Sequence, residues 1–169
     1  MTVAAVVLAA GEATRFGAPK QRLLLPSVLD RLAASPVDEV VVVAGAYPLD
    51  ATDAARVVCC AEWARGPGAS LRCGLAALGS EVDAVVVVLA DGPGLSPAAV
   101  GRVLDEWRSG DGIVAASYGG ARGHPLVLGR GDWEDVPDGG LHERPARLVP
   151  CDDLGAPGDV DRPEDLAPA

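Results

Sequence analysis

Lysine is almost absent. Lys20 is the one lysine among 169 residues, set against 24 acidic residues and a formal net charge of −10. That balance speaks against general affinity for nucleic acid or for an anionic membrane surface, both of which call for a positive face. Long apolar runs are missing as well. The stretches 3–10, 40–46 and 84–90 are each bounded by Gly, Pro or a charge, and none approaches the roughly 20 residues of a membrane span. The opening MTVAAVVLAAGE carries no basic segment ahead of its apolar residues, so it reads as a buried first strand rather than a signal peptide, and a cytoplasmic protein is expected. The four cysteines, Cys59, Cys60, Cys73 and Cys151, show no CxxC spacing and no neighbouring histidine, and an adjacent pair does not easily bridge itself. They are expected to be reduced, mostly buried small side chains.

What the chain does have is a repeated alternation. Val-rich, nearly continuous stretches at 2–10, 39–44, 56–60 and 83–90 have the pattern of strands buried on both faces. A fifth strand is expected near 112–117. Helical patterns at 28–34, 69–78 and 97–108 lie between them, the last with Ser96 as N-cap and Pro97 at the first helical position. Such alternation implies right-handed crossovers, a mostly parallel sheet and ligands at the carboxyl ends of the strands. Length and core content suit one domain over 1–169, with a nucleotide half to about 117. Beyond Tyr118 the text turns to Gly, Pro and charge with short apolar islands at 126–128 and 147–149, expected to be short strands and loops over the ligand edge.

The first strand runs into a Gly-rich turn, LAAGEATRFGAPKQ, at 8–21. A P-loop needs GxxxxGK[ST] and a dinucleotide fingerprint needs GxGxxG; the turn satisfies neither. Residues 11–22 nevertheless hold Arg15, Lys20 and Arg22 against Glu12 alone, a local positive focus that suits a small polyanion. In an Arg-rich protein, the surviving lysine points to a place where a compact ammonium is needed.

The order L-A-A-G-x-x-x-R-F-G-x-P-K-Q resembles the signature loop of the MobA-like nucleotidyltransferases, which activate sugars, alcohols and molybdopterin with a nucleoside triphosphate. The resemblance implies a three-layer α/β/α Rossmann-like fold. It places Leu8, Ala9, Ala10 and Gly11 around the nucleotide, with Arg15 and Lys20 on its phosphates. Glycines allow close backbone approach to anionic oxygens, and fixed cations offset charge on the leaving pyrophosphate. VVVVLADGPGLSP at 85–97 resembles the family strand ending in LxDxP, whose aspartate holds Mg²⁺ against the triphosphate; here that residue is Asp91. GPGASLRCGL at 66–75 resembles the segment beside base and ribose, implicating Gly66 and Ser70. ARGHPLVLGR resembles a G-H-P segment on the second-substrate side and points to His124. GDVDRPEDL at 158–166 resembles the family's closing motif, with Asp161, or else Asp159, as a second metal ligand.

LAAG together with SLRxG and GHP favours the branch that transfers CMP from CTP to molybdopterin. The expected catalytic set is Arg15, Lys20 and Asp91, the expected metal Mg²⁺ on Asp91 and Asp161, and a molybdoenzyme apoprotein is a possible partner. Ala10 in front of Gly11 is further expected to crowd the base site and favour a pyrimidine. Two alternatives stay open: a same-fold enzyme using GTP or another acceptor, and a non-catalytic nucleotide or cofactor binder.

Overall fold

Side chains on both faces of the central strands are buried, so each strand needs helix cover on two sides. The computed structural model, which describes residues 1–11, 20–50 and 52–158, supplies it in three layers. Seven strands, β1 (Thr2–Ala9), β2 (Glu39–Ala44), β3 (Arg56–Cys59), β4 (Val82–Leu89), β5 (Ile113–Tyr118), β6 (Ala121–Gly129) and β7 (Ala146–Pro150), form one sheet in the order β3-β2-β1-β4-β6-β5-β7. Only the β4–β6 and β5–β6 pairings are antiparallel. The expected three-layer α/β fold with a mostly parallel sheet is the one observed.

Alternate residues of β1 serve opposite layers. Val3, Ala5, Val7 and Ala9 pack with α1 (Lys20–Ala33) and α3 (Pro97–Arg108). Ala4, Val6 and Ala10 pack with α2 (Pro67–Ala76) and with Val136 and Leu141. In α2, a side chain at Gly74 would stand 2.6 Å from Val6 Cγ1 and 3.0 Å from Val43 Cγ2, so the absent Cβ sets how closely the helix lies on the sheet.

The strands lie within a residue or two of their expected places, and α3 has its expected bounds, with Ser96 Oγ accepting from the Ala99 N–H at 3.3 Å. The first helix differs. It begins at Lys20, eight residues before the expected start, and runs through Pro26. An interior proline costs about 3 kcal/mol. Leu24, Leu25, Val28, Leu29 and Leu32, all buried at helical spacing, offset it, since burying such a side chain contributes about 1.5–3 kcal/mol.

Two further expectations are corrected. The island at 126–128 belongs to β6, inside the sheet between β4 and β5, because its residues pair on both edges. The cysteines are not all reduced. Cys60 and Cys73 form a disulfide with a Cα–Cα distance of 5.8 Å; α2 folds back over the end of β3 and brings together residues 13 apart, a spacing with no sequence signature. Cys59 is exposed and Cys151 buried, both as free thiols. Among the described residues, no helix is long and apolar enough to cross a membrane.

Candidate active site at the switch point of the sheet

From β1 the chain crosses first to β2 on one side and later to β4 on the other. The carboxyl ends of β1 and β4 therefore flank the switch point, where open α/β sheets leave a crevice for ligand. The two ends are tied together, the Ala90 N–H donating to the Leu8 carbonyl at 3.1 Å. Leu8 faces the crevice. Ala9 and Ala10 are 4% exposed and belong to the two core layers.

Gly11 is exposed, and its carbonyl accepts from Gln21 Nε2 at 2.9 Å. The loop after β1 thus departs from and returns to one spot, and α1 opens there with Lys20 in its first turn, where orphan backbone N–H groups favour an anion. Arg22 is used structurally: its Nε and Nη2 donate to the Pro48 carbonyl at 3.1 and 2.9 Å. Arg15 and Asp161 lie outside the described residues.

Asp91 follows β4 in a turn closed by the Gly92 N–H on the Leu89 carbonyl at 3.3 Å. It is partly buried and has a polar or electrostatic partner. Among the described residues, no three His, Cys, Asp or Glu side chains converge as a metal cage. A carboxylate just beyond the carboxyl end of a strand is the kind of oxygen ligand that Mg²⁺ or Mn²⁺ takes beside phosphate oxygens.

Two clefts meet beside this turn. One, of about 470 Å³, runs between Leu8, Leu71, Leu89 and the 139–142 segment; the other, of about 340 Å³, runs between Leu95, Tyr118 and the 156–158 segment. Leu89, Arg122, Gly123 and His124 border both. Because β6 is antiparallel to β4, with Val87 opposite Leu126, the beginning of β6 lies at the carboxyl end of β4. Burial drives the His124 imidazole down to about 4, with Arg122 adding to the shift and the Asp91 carboxylate opposing it. His124 is therefore neutral near pH 7, with Arg122 and Asp91 both within electrostatic reach.

The 66–75 segment has a structural use. A side chain at Gly66 or Gly68 would collide with the carbonyls of Asp138 and Pro137, and Gly66 has φ 135°. The Gly68 N–H donates to the Asp138 carbonyl at 2.8 Å. Arg72 and Arg65 both bind the Asp138 carboxylate, and Arg72 holds it below the usual carboxylate range. Of α2, Pro67 and Leu71 line the larger cleft; Ser70 is buried, at 4% exposure.

Arg122 and Tyr118 escape sequence reasoning. Arg122 Nη1 donates to the Arg144 carbonyl at 2.7 Å, while Nη2 is buried without a partner, an arrangement that costs about 1–3 kcal/mol. The available signal was its place two residues before His124, hence on the same face of a strand.

A model of the MobA-like NTP transferase domain matches residues 5–149. The chain belongs to that family. It is 32% identical to nicotine blue oxidoreductase of Paenarthrobacter nicotinovorans, over 97% of this chain and 94% of the relative. Among solved structures it resembles Rv0371c of Mycobacterium tuberculosis H37Rv, with 28% identity, a TM-score of 0.80, and 97% and 95% of the two chains covered. A complex of Rv0371c with manganese matches with a TM-score of 0.70 and 26% identity, covering 89% of this chain and 88% of the other.

Proposed function

We propose that this family member transfers CMP from CTP to the phosphate of molybdopterin, with a divalent cation, Mg²⁺ in the cell. The observation that carries the reading is the convergence of the Gly11–Gln21 contact, the Lys20 end of α1 and the Asp91 turn at the switch point between β1 and β4. An acceptor phosphate oxygen attacks the α-phosphorus of CTP. The new P–O bond forms as the bond to the bridging oxygen of the β-phosphate breaks, and pyrophosphate leaves with the electron pair. The nucleophile is already ionised, so no general base is demanded. Catalysis then rests on in-line positioning and charge neutralisation. Lys20 and Arg15 hold the triphosphate, and Asp91 with Asp161 would hold the metal. When bound, the metal offsets charge developing on the triphosphate. The manganese complex of the mycobacterial relative supports a divalent ion in this fold.

With the Ala10 methyl in the core, base choice falls to backbone groups near Leu8 and Gly11 and to the wall from Pro67 to Leu71. The test is kcat/KM with CTP and with GTP at fixed Mg²⁺ and molybdopterin. A preference for CTP over GTP is expected. GTP preferred, or pyrophosphate released only with a different acceptor, would reassign the base or the acceptor.

The nicotine blue relative motivates a second reading, in which the apolar cleft of Leu8, Leu71, Leu89 and Leu126 takes a flat aromatic substrate for reduction. Oxidation of NADH or NADPH by a quinonoid dye, without pyrophosphate release from CTP, would favour it.

A further inference from the structure

The chain has a net charge of −10, yet among the described residues lining the two clefts one side chain carries a permanent charge, and it is the cation Arg122. Its guanidinium is held by the Arg144 carbonyl through Nη1, while Nη2 is buried with no acceptor. The anchor is itself braced: Arg144 donates through Nη1 to the Asp132 carbonyl at 2.9 Å and pairs with the Asp132 carboxylate at 3.2 Å. A buried guanidinium nitrogen without an acceptor is costly unless something anionic arrives to meet it, and among the described residues lining the two clefts none is anionic. Burial lowers the guanidinium's proton affinity, but an arginine stays charged regardless. Beside it, the neutral His124 adds a ring N–H or a lone pair without a competing charge.

We propose that Arg122 is the anchor for a phosphate-bearing second substrate, gripping its dianionic group where the two clefts meet. This rests on the nucleotidyl-transfer reading for what the second substrate does, and on Arg122, the charged side chain that borders both clefts with Nη2 unpartnered, for its charge. Arg122 thereby discriminates against uncharged alcohols: an acceptor lacking the anion leaves the guanidinium unmet.

The chain's two histidines allow a local readout. Wild-type protein at low ionic strength is titrated with inorganic phosphate while the Cε1–H resonances of His124 and His142 are followed, assigned with His142→Gln. The His124 resonance is expected to shift saturably, and acetate, with one charge, to act more weakly. Arg122→Gln should weaken phosphate at this resonance by roughly tenfold or more, as loss of a charge-assisted hydrogen bond implies. Affinity for CTP with Mg²⁺, measured by calorimetry, should stay within about twofold. Arg122→Lys keeps the charge but cannot hold the Arg144 carbonyl and an anion at once; it should also bind phosphate more weakly, and it decides the matter if the glutamine variant does not fold. A His124 resonance that ignores phosphate, a folded variant that binds it like wild type, acetate equal to phosphate, or CTP affinity falling in step with phosphate would each overturn the assignment. Phosphate acting through Arg122 in a protein that does not bind CTP would sustain the anchor and sink nucleotidyl transfer.

Discussion

The Tyr118 hydroxyl donates to the His124 carbonyl at 2.9 Å, and its ring lies against Gly123, where an added Cβ would stand 3.0 Å from Cδ2. Tyr118 at the end of β5 therefore braces the segment that borders both clefts. Tyr118→Phe keeps the ring and strands a carbonyl, so denaturant unfolding should show a loss of about 1 kcal/mol. The His124 resonance should broaden or move. Unchanged stability together with an unchanged spectrum would mean that the hydroxyl does not set this geometry.

Two groups beside the clefts contribute to the pH dependence of stability. The His124 imidazole is depressed from 6.5 to about 4 by burial, so the unfolded chain takes up a proton before the native one does. Its contribution is present above about pH 6.5 and is lost as pH falls toward 4. Burial, with Cys151 and Asp152 nearby, pushes the Tyr118 phenol up from 10.0 to about 12; that contribution is present below pH 10 and is lost as pH rises toward 12. Thermal unfolding of His124→Gln should lose the part of the acid slope between pH 6.5 and 4 that belongs to this group. An acid limb identical to wild type would show that His124 does not supply it.

The Cys60–Cys73 bond closes a loop of 13 residues across the β3–α2 reversal. Chain-entropy reasoning gives a loop of this length about 3 kcal/mol. Cys60→Ser or mild reduction should lower unfolding stability by up to that amount, and reductant should leave the Cys60→Ser variant unaffected. Equal sensitivity of wild type and variant to reductant would place the effect elsewhere.

Asp91→Asn is the sharpest test of metal-assisted transfer. The amide is nearly isosteric, so circular dichroism and melting should stay near wild type, while pyrophosphate release falls by a factor of roughly a hundred or more, the scale for removing a main electrostatic group. Turnover close to wild type at saturating Mg²⁺ would remove Asp91 from the metal site.

Gly74→Ala tests the packing of α2. The new Cβ meets Val6 and Val43 in the core, and overpacking costs about 1–3 kcal/mol. Urea unfolding with an unchanged midpoint would show that the helix can lift without penalty.

The strands were legible because buried parallel strands leave unbroken valine runs such as Val40 to Val43 and Val85 to Val88. The start of α1 was hidden by Pro26, whose local penalty outweighs the leucine spacing until the sheet's face is there to receive it. β6 was hidden because its apolar core is short and its place depends on two neighbours distant in sequence. Leu8, Gly11 and Asp91 were reached through the resemblance of their motifs, and the structure sets them at or just beyond the carboxyl ends of β1 and β4. Arg122 and the Cys60–Cys73 pairing are tertiary facts: one depends on what an arginine fails to touch, the other on a chain reversal.

A cleft wall made from the beginning of β6 is a stiff one. An inserted residue there would shift the pairing with β5, in which Arg122 stands opposite Ser117 and Ala121 opposite Tyr118, and swap the faces of the side chains beyond it. Change in what this wall accepts is thus channelled into replacing side chains at fixed places, above all 122 and 124, rather than into lengthening the chain.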